Sequence, residues 1–391
     1  MDTDIKRLMA AAWADVSLPD LTTDATRHVA GLSGDWDPPV GITARQRPIR
    51  MAIGIPDPST LPREALAVAA QKVIRESDEG AFSYGFGMGY AGLREQIAER
   101  YQRTRGLTYT AANYQLANGS AGAIDLICRA LIEPGDVILC ESPTYMGTLR
   151  NFYGVGAVVK AVPMDAGGMD IDALERTIIE VSGCGQTIKF IYIIATFQNP
   201  TGATLGVPRR EQLLALAAKH KILILDDDAY AEIYFGDAPP PMLAQLSGGE
   251  GVLTVGTFSK ILATGLRIGW IAGPAALVEL IGTMRFAMGL NQIMVRVIAG
   301  YMASGELDEH AKRIRVLYRT RMNRLADALD EHLGNFATFE RPEGGFYLWL
   351  RLAQGLAAED VWRAAAEEGV MLTPGVNFFP GRVDVGSHLR I

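Results

Sequence analysis

The sequence predicts an α/β fold: a large domain with a mostly parallel seven-stranded sheet covered by helices, plus a smaller α+β domain built from both chain ends. Three observations carry this expectation. Short runs nearly continuous in Val, Ile and Leu recur at Tyr114 to Ala117, Val137 to Cys140, Val155 to Val162, Ile188 to Ile194, Ile222 to Leu225, Val252 to Val255 and Ile268 to Ala272, the pattern of strands buried on both faces. Most alternate with stretches of helical periodicity, such as Ala121 to Leu131, Ile171 to Val181 and Arg209 to His220, as helix-covered parallel sheets require. The polar clusters fall just past the carboxyl ends of these runs, where open α/β sheets hold their ligands.

In chain order, Met1 to Val16 mixes Asp2, Asp4, Lys6, Arg7 and Asp15 with apolar residues at helical spacing, which predicts an amphipathic helix and lacks the apolar block of a signal peptide. Asp35 to Pro58, rich in Gly, Pro, Asp and Arg, reads as an irregular arm lying across another surface, with Met51 to Ile55 strand-like. Leu61 to Arg75 and Ala91 to Arg105 read as helices on either side of a Gly-rich loop, Ser83 to Tyr90. That loop follows a helical segment and not a strand, which argues against a dinucleotide fingerprint. Leu277 to Met288 and Val295 to Leu333 read as long helices leading to the second domain. Phe336 to Leu352 reads as strands around a turn at Pro342-Glu343-Gly344-Gly345, then a helix over Ala357 to Gly369 and a strand pair ending at Arg390. The expected division is residues 1–60 for the N-terminal helix and arm, 61–290 for the large ligand-binding domain and 291–391 for the small domain.

A chain of 391 residues, 49% hydrophobic and 21% charged, can bury a large core. Its net charge of −7 and the lack of any basic run argue against nucleic acid as a partner. No window reaches the length of a membrane span. Cys128, Cys140 and Cys184 show no metal-binding spacing, and reduced thiols of this kind fit a cytoplasmic location. Small molecules are the expected partners.

Thr257-Phe258-Ser259-Lys260, with Arg267 seven residues on, follows the run Val252 to Val255. A lysine there can serve as a nucleophilic amine, while two hydroxyls and a guanidinium suit a phosphate dianion. Asp226-Asp227-Asp228 and Tyr230 follow Ile222 to Leu225. Adjacent carboxylates repel one another, so at least one is expected to meet a cation. A magnesium ion is disfavoured because no GxxxxGK loop accompanies it, and a protonated pyridine nitrogen is the other cation available. Asn199-Pro200-Thr201-Gly202 makes a turn at another run's end, where the Asn side chain can donate to a phenolate oxygen. Asn118-Gly119-Ser120-Ala121-Gly122 lies between a strand and a helix, where free N–H groups make an anion site. Pro143-Thr144-Tyr145 offers an aromatic face for a planar ring.

In this order, and with Arg390 near the end, these segments resemble the fold type I pyridoxal-phosphate enzymes, and more closely the class I/II aminotransferases of the aromatic and 2-aminoadipate kind. The resemblance covers nearly the whole chain from about Met51. It implies pyridoxal 5'-phosphate as cofactor and no metal. By the same resemblance Lys260 forms the internal aldimine and shuttles the α-proton, and Asp227 pairs with the pyridinium nitrogen. Asn199 and Tyr230 hydrogen-bond the ring oxygen, and Tyr145 stacks on the ring. Gly119, Ser120, Ala121, Thr257, Ser259 and Arg267 hold the phosphate. Tyr84 reaches the phosphate of the other subunit, which implies a homodimer, and Arg390 with Asn199 holds the substrate carboxylate. Asp226 and Asp228 receive no role.

The chain departs from its nearest relatives in four places, one of them a longer and more Arg-rich N-terminal arm. They carry Gly-Ser-Gln-Gln where this sequence has Gly119-Ser120-Ala121-Gly122, their loop at Tyr84 is more polar than Phe86-Gly87-Met88, and they continue beyond Arg390 through a further strand and helix, so the small domain is expected to be incomplete. The implied function is transfer of an α-amino group between an amino acid and a 2-oxo acid. The alternative is elimination, replacement or carbon–carbon bond formation at the β or γ carbon of an amino acid. Apolar Phe86, Met88, Met288 and Tyr145 are expected to line a roomy side-chain pocket, and Arg45, Arg47 or Arg50 to meet a second acidic group. A regulatory module of the same fold is disfavoured, since Met1 to Pro48 holds no basic DNA-binding segment.

Overall fold

All seven apolar runs become strands of one sheet in a computed structural model that describes every residue except 1, 33–41, 78, 86, 286–287 and 385. Across the sheet the order is Tyr114–Ala117, Gly269–Ala272, Val252–Thr257, Leu223–Asp227, Ile188–Ile193, Val137–Ser142, Val158–Asp165 and Gly168–Met169. The last, two-residue strand was not expected from the sequence. A tight turn through Ala166 and Gly167 folds it back antiparallel on Met164 and Asp165, with Gly168 at a φ of 95° that favours glycine. Gly269–Ala272 runs antiparallel to both of its neighbours, and the central pairs are parallel.

Burial on both faces explains why these runs do not alternate. Ile138, Cys140, Phe190, Tyr192, Leu225 and Val255 pack with Ile124, Leu149, Phe152 and Val278 on one side. Leu139, Ile191, Ile193, Ile224 and Val252 pack with Leu174, Leu213, Ile97 and Ile298 on the other. The helix Met146–Gly154 was not legible in the sequence: it contains two glycines and little periodicity. It forms because Leu149 and Phe152 are buried against the sheet, Phe152 meeting Phe190 and Tyr192 edge-on, so packing overrides propensity. The expected helix Val295 to Leu333 is two helices, Gln292–Ala303 and Glu306–Leu333, broken at Gly305 with φ 79°. The expected helix Leu277 to Met288 is Ala275–Gly282.

The smaller domain carries a four-stranded antiparallel sheet, ordered Ala337–Thr338, Trp349–Leu352, His388–Arg390 and Thr373–Pro374. Both chain ends do contribute, because Ile49–Arg50 pairs in parallel with Val370–Met371 and Arg45 pairs with Glu367 and Glu368. The strand lies at Ile49–Arg50 and not at Met51 to Ile55. Gly344 is more than a turn residue: it bridges to Tyr234, while Phe235 N–H donates to Glu343 at 2.8 Å and Gly345 N–H to Ile233 at 2.8 Å, tying the small domain to the large. Ile391 is buried and exchanges backbone bonds with Leu348. Among the described residues no helix is long and apolar enough to cross a membrane.

A buried ion network fixes the long helix Glu306–Leu333 to the large domain. Arg100 makes a two-pronged contact with Glu232 at 2.9 and 3.0 Å, Arg315 reaches the same carboxylate at 3.0 Å, and Arg100 Nε reaches Asp308 at 2.7 Å. Burial works to raise the Glu232 carboxyl, but Arg100, Arg105 and Arg315 hold it down at about 2. Its stabilising contribution is therefore complete above the ordinary carboxyl range and is lost as pH falls towards about 2. Replacing Glu232 by Gln removes the carboxylate that buried Arg100 shares with Arg315 and leaves Arg100 with Asp308 alone, and urea unfolding is expected to show a loss of up to about 3 kcal/mol; an unchanged midpoint contradicts the network's role.

Candidate active site

The three consecutive aspartates end the strand Leu223–Asp227, and strand pleating separates them. Asp226 and Asp228 share the face of Ile224 with Arg210 and Arg105. Burial raises both carboxyls, and the arginines oppose that shift. Asp227 faces the other way, with Leu225. Its Oδ2 accepts from the Tyr192 hydroxyl at 2.9 Å, and Tyr192 in turn shares a 3.0 Å hydrogen bond with Thr148. Its Oδ1 is buried without a partner. Burial pushes the Asp227 carboxyl up to about 6, against the Tyr192 hydrogen bond and the charge of Lys260. A buried acceptor in this state calls for a cationic donor. The three carboxylates do not converge on a metal, and no metal-holding group of His, Cys, Asp or Glu occurs among the described residues.

Lys260 is half-buried just past the neighbouring strand, Val252–Thr257. Its Nζ donates to the Gly54 carbonyl at 2.8 Å and lies 5.4 Å from the centre of the Tyr230 ring. Thr257 Oγ1 accepts from the Ser259 N–H at 3.1 Å and donates to Ser259 Oγ at 2.9 Å, which leaves the Ser259 hydroxyl proton for another acceptor. Thr257 thus orients Ser259. Arg267 adopts a left-handed φ of 53° and donates to the Asn118 carbonyl at 3.2 Å. A side chain on Gly119 would come within 2.7 Å of that guanidinium. Gly119 and Ser120 open the helix Gly119–Leu131, so its first N–H groups and Arg267 converge.

The strand ends also bring Asn199 and Arg390 together. Asn199 is buried, and its Oδ1 accepts from Arg390 at 3.0 Å. Arg390, fully buried, also donates to the Ala52 carbonyl and to Thr373, and its guanidinium lies 4.2 Å over the Tyr347 ring and 4.6 Å over Phe378. The Asn199 loop is held from behind by Glu141, whose Oε2 accepts from the Ile194 N–H at 3.0 Å and from Gln198, which also donates to the Pro143 carbonyl at 2.8 Å.

Lys260, Asp227, Asn199, Tyr230 and Arg390 therefore share one end of the sheet with the Ser259, Arg267 and Gly119 cradle. Tyr145 caps the helix Met146–Gly154, half-buried, with its ring folded against the bare Cα of Gly147. Ala121 is exposed in the first turn of its helix and presents no side-chain donor. Tyr84 is 72% exposed on its loop. Phe86 lies outside the described residues. Met288 is exposed at a left-handed φ of 52°, and Met88 packs with Tyr145 against the sheet-side core. Arg45 is engaged by Glu367 and Glu368. Sequence reasoning missed Tyr192, Glu141, Gln198 and Tyr347; the period-two alternation of Ile188–Ile193 was the available signal for Tyr192, which points to the same face as Asp227.

An orphaned buried carboxylate oxygen, an amine on the adjacent strand and a hydroxyl–guanidinium cradle at a helix start fit pyridoxal 5'-phosphate, and fold and site together define a fold type I pyridoxal-phosphate enzyme. The chain belongs to the aminotransferases of class I and II, whose family model matches residues 48–391. It is 34% identical over 346 residues to aromatic-amino-acid aminotransferase 1 of Thermococcus litoralis, covering 88% of this chain and 82% of that one. The kynurenine aminotransferase of Pyrococcus horikoshii, solved with the pyridoxamine form of the cofactor and kynurenine, superposes with a TM-score of 0.84 at 28% identity, covering 98% of this chain and 93% of that one. The α-aminoadipate aminotransferase of Thermus thermophilus, solved with N-(5'-phosphopyridoxyl)-L-leucine, gives a TM-score of 0.82 at 30% identity and covers 96% and 93%. The chain is a pyridoxal-phosphate-dependent aminotransferase that moves an α-amino group between an amino acid and a 2-oxo acid. Its relatives do not favour the elimination or carbon–carbon bond-forming alternative.

Glu141 gives this site a pH signature. Burial pushes its carboxyl from an ordinary value near 4.5 up to about 8, against the hydrogen bonds from Ile194 and Gln198. The folded chain holds this proton more tightly than the unfolded one, so the associated stability is complete below about 4.5 and is lost as pH rises through about 8. Glu141→Gln removes that dependence. Thermal melts of variant and parent are expected to diverge in the variant's favour between pH 5 and pH 9, by on the order of a few kcal/mol; parallel pH profiles contradict a protonated Glu141.

Proposed function

We propose that this chain transfers the amino group of a large apolar or aromatic amino acid, with Lys260 as the amine that takes the cofactor aldehyde and carries the α-proton. The observation that carries the reading is Asp227, buried with one bare oxygen beside the strand end that bears Lys260. When bound, pyridoxal phosphate supplies an aldehyde that condenses with amines and a ring that accepts electrons from the α-carbon. Asp227 holds a proton on the ring nitrogen, and Tyr192 and Thr148 keep its carboxylate oriented. Tyr230 and Asn199 would donate to the ring oxygen, Tyr145 would cover the ring, and Ser120, Ser259 and Arg267, with the N–H groups at Gly119 and Ala121, would take the phosphate. Thr257 serves the phosphate through Ser259. Arg390 holds the substrate carboxylate in a two-pronged grip that exchanges its bond to Asn199 for a ligand oxygen.

The rings of Tyr347 and Phe378 on either side of Arg390, and relatives named for aromatic amino acids and kynurenine, support a large uncharged side chain. The division at residues 60/61 and 290/291 and a cytoplasmic location with free thiols at Cys128, Cys140 and Cys184 belong to the same reading. So does a homodimer in which Tyr84, exposed in one chain, completes the partner's phosphate site.

Borohydride reduction of the cofactor-loaded protein is expected to bleach it and to leave the label on the Lys260 peptide; a label elsewhere overturns the assignment. With a panel of amino acids and no 2-oxo acid, stoichiometric conversion to the pyridoxamine form is expected, whereas release of side-chain fragments over many turnovers contradicts transamination. Arg390→Lys keeps the cofactor and is expected to raise KM for the amino acid by roughly tenfold to a hundredfold, the worth of a two-pronged charged contact. Loss of cofactor instead removes Arg390 from the substrate site.

A further inference from the structure

Between the amine end of the site and its carboxylate end stands Tyr347, a residue to which the sequence assigns nothing. It is buried, two residues before the strand Trp349–Leu352. Its hydroxyl accepts from that of Tyr230 at 3.4 Å. Its ring face carries the Arg390 guanidinium at 4.2 Å. The main chain makes room for it: a Cβ at Gly54 would sit 2.0 Å from the Tyr347 oxygen and 2.7 Å from Cζ, so no other residue fits there without displacing the ring. The carbonyl of that same Gly54 accepts from Lys260 Nζ. One phenol therefore touches the partners of the lysine, of the ring oxygen and of the carboxylate clamp.

We propose that Tyr347 is a positioning residue that couples the two ends of the site, its hydroxyl orienting Tyr230 and its ring seating Arg390. This rests on the roles given above to Tyr230 and Arg390. A phenol has one proton to donate and can accept another. Once Tyr230 donates to the ring oxygen it can no longer donate to Tyr347, and the hydrogen bond between them reverses: Tyr347 becomes the donor and Tyr230 the acceptor. Donation into the Tyr230 oxygen polarises its O–H and strengthens the bond it makes onward. With the cofactor bound, that polarised O–H would stabilise negative charge on the ring oxygen and lower the pH at which the bound cofactor gives up its proton. The ring has a separate task, since a desolvated guanidinium over an aromatic face is held by the ring's negative surface.

The two tasks separate in two substitutions, Tyr347→Phe and Tyr347→Leu, with Tyr230→Phe as reference. In each cofactor-loaded protein the pH midpoint of the long-wavelength cofactor absorbance is titrated, and the dissociation constant of the parent's best amino donor is measured by the spectral change it causes. Tyr347→Phe is expected to raise the midpoint by roughly half to one pH unit, the net worth of one neutral hydrogen bond, while holding the donor within about twofold of the parent, since the ring remains. Tyr347→Leu is expected to raise the midpoint likewise and to weaken the donor by about tenfold. A midpoint in Tyr347→Phe equal to the parent's, with Tyr230→Phe raised, overturns the coupling and leaves the role of Tyr230 intact. A Leu variant that holds the donor as tightly as the Phe variant overturns the seating of Arg390. If Tyr230→Phe itself leaves the midpoint unmoved, the role of Tyr230 falls and the coupling falls with it.

Discussion

Burying acidic charge at the end of one strand is the constraint on which the rest of this molecule depends. Asp226, Asp227 and Asp228 are all buried, and carboxylates removed from water must find cations or hold their protons. The pleat of the strand divides them, so one face of the sheet must supply arginines and the other must supply a ligand. The charges of Arg105 and Arg210 oppose, without cancelling, the upward shift that burial imposes on Asp226 and Asp228, and Arg210 is itself fixed by the carbonyls of Leu205 and Ala195 and by Thr196. On the other face Asp227 keeps one buried oxygen without a partner, the oxygen proposed above to meet the cofactor ring.

The positive charge that balances the buried acids also ties the domains together. Arg105 lies 3.9 Å from Glu232, which Arg100 and Arg315 clamp from the helices Ala91–Arg105 and Glu306–Leu333. Displacing the long helix would therefore expose the arginines that neutralise the strand end. Catalytic electrostatics and domain packing share one set of side chains, and a substitution in either is expected to be felt in both.

The strands and the order of the site clusters were legible because each rests on local chemistry. A strand buried on both faces must be continuously apolar, and a ligand site at a strand end must be polar just after it. The helix Met146–Gly154 was not legible, since its stability comes from Leu149 and Phe152 against a sheet assembled from distant segments. Neither was Glu141, whose role after the run Val137 to Cys140 depends on Gln198 and the Ile194 N–H, more than fifty residues on. Tyr347 was hidden for a different reason. It lies in an aromatic stretch that reads as core, and only the absence of a side chain at Gly54, far away in sequence, gives its hydroxyl access to the site. Where a role depends on what a distant residue lacks, no local pattern announces it.

The bond between Asn199 and Arg390 joins a loop at the end of the large sheet to the last strand of the small one. If Arg390 takes the substrate carboxylate, as proposed above, that carboxylate and the Asn199 amide compete for the same guanidinium. Binding of that kind would loosen one link between the two domains as it made another through the ligand, and the amide of Asn199 would be its natural reporter: its side-chain nuclear magnetic resonance signal would shift with occupancy even for carboxylates too small to react.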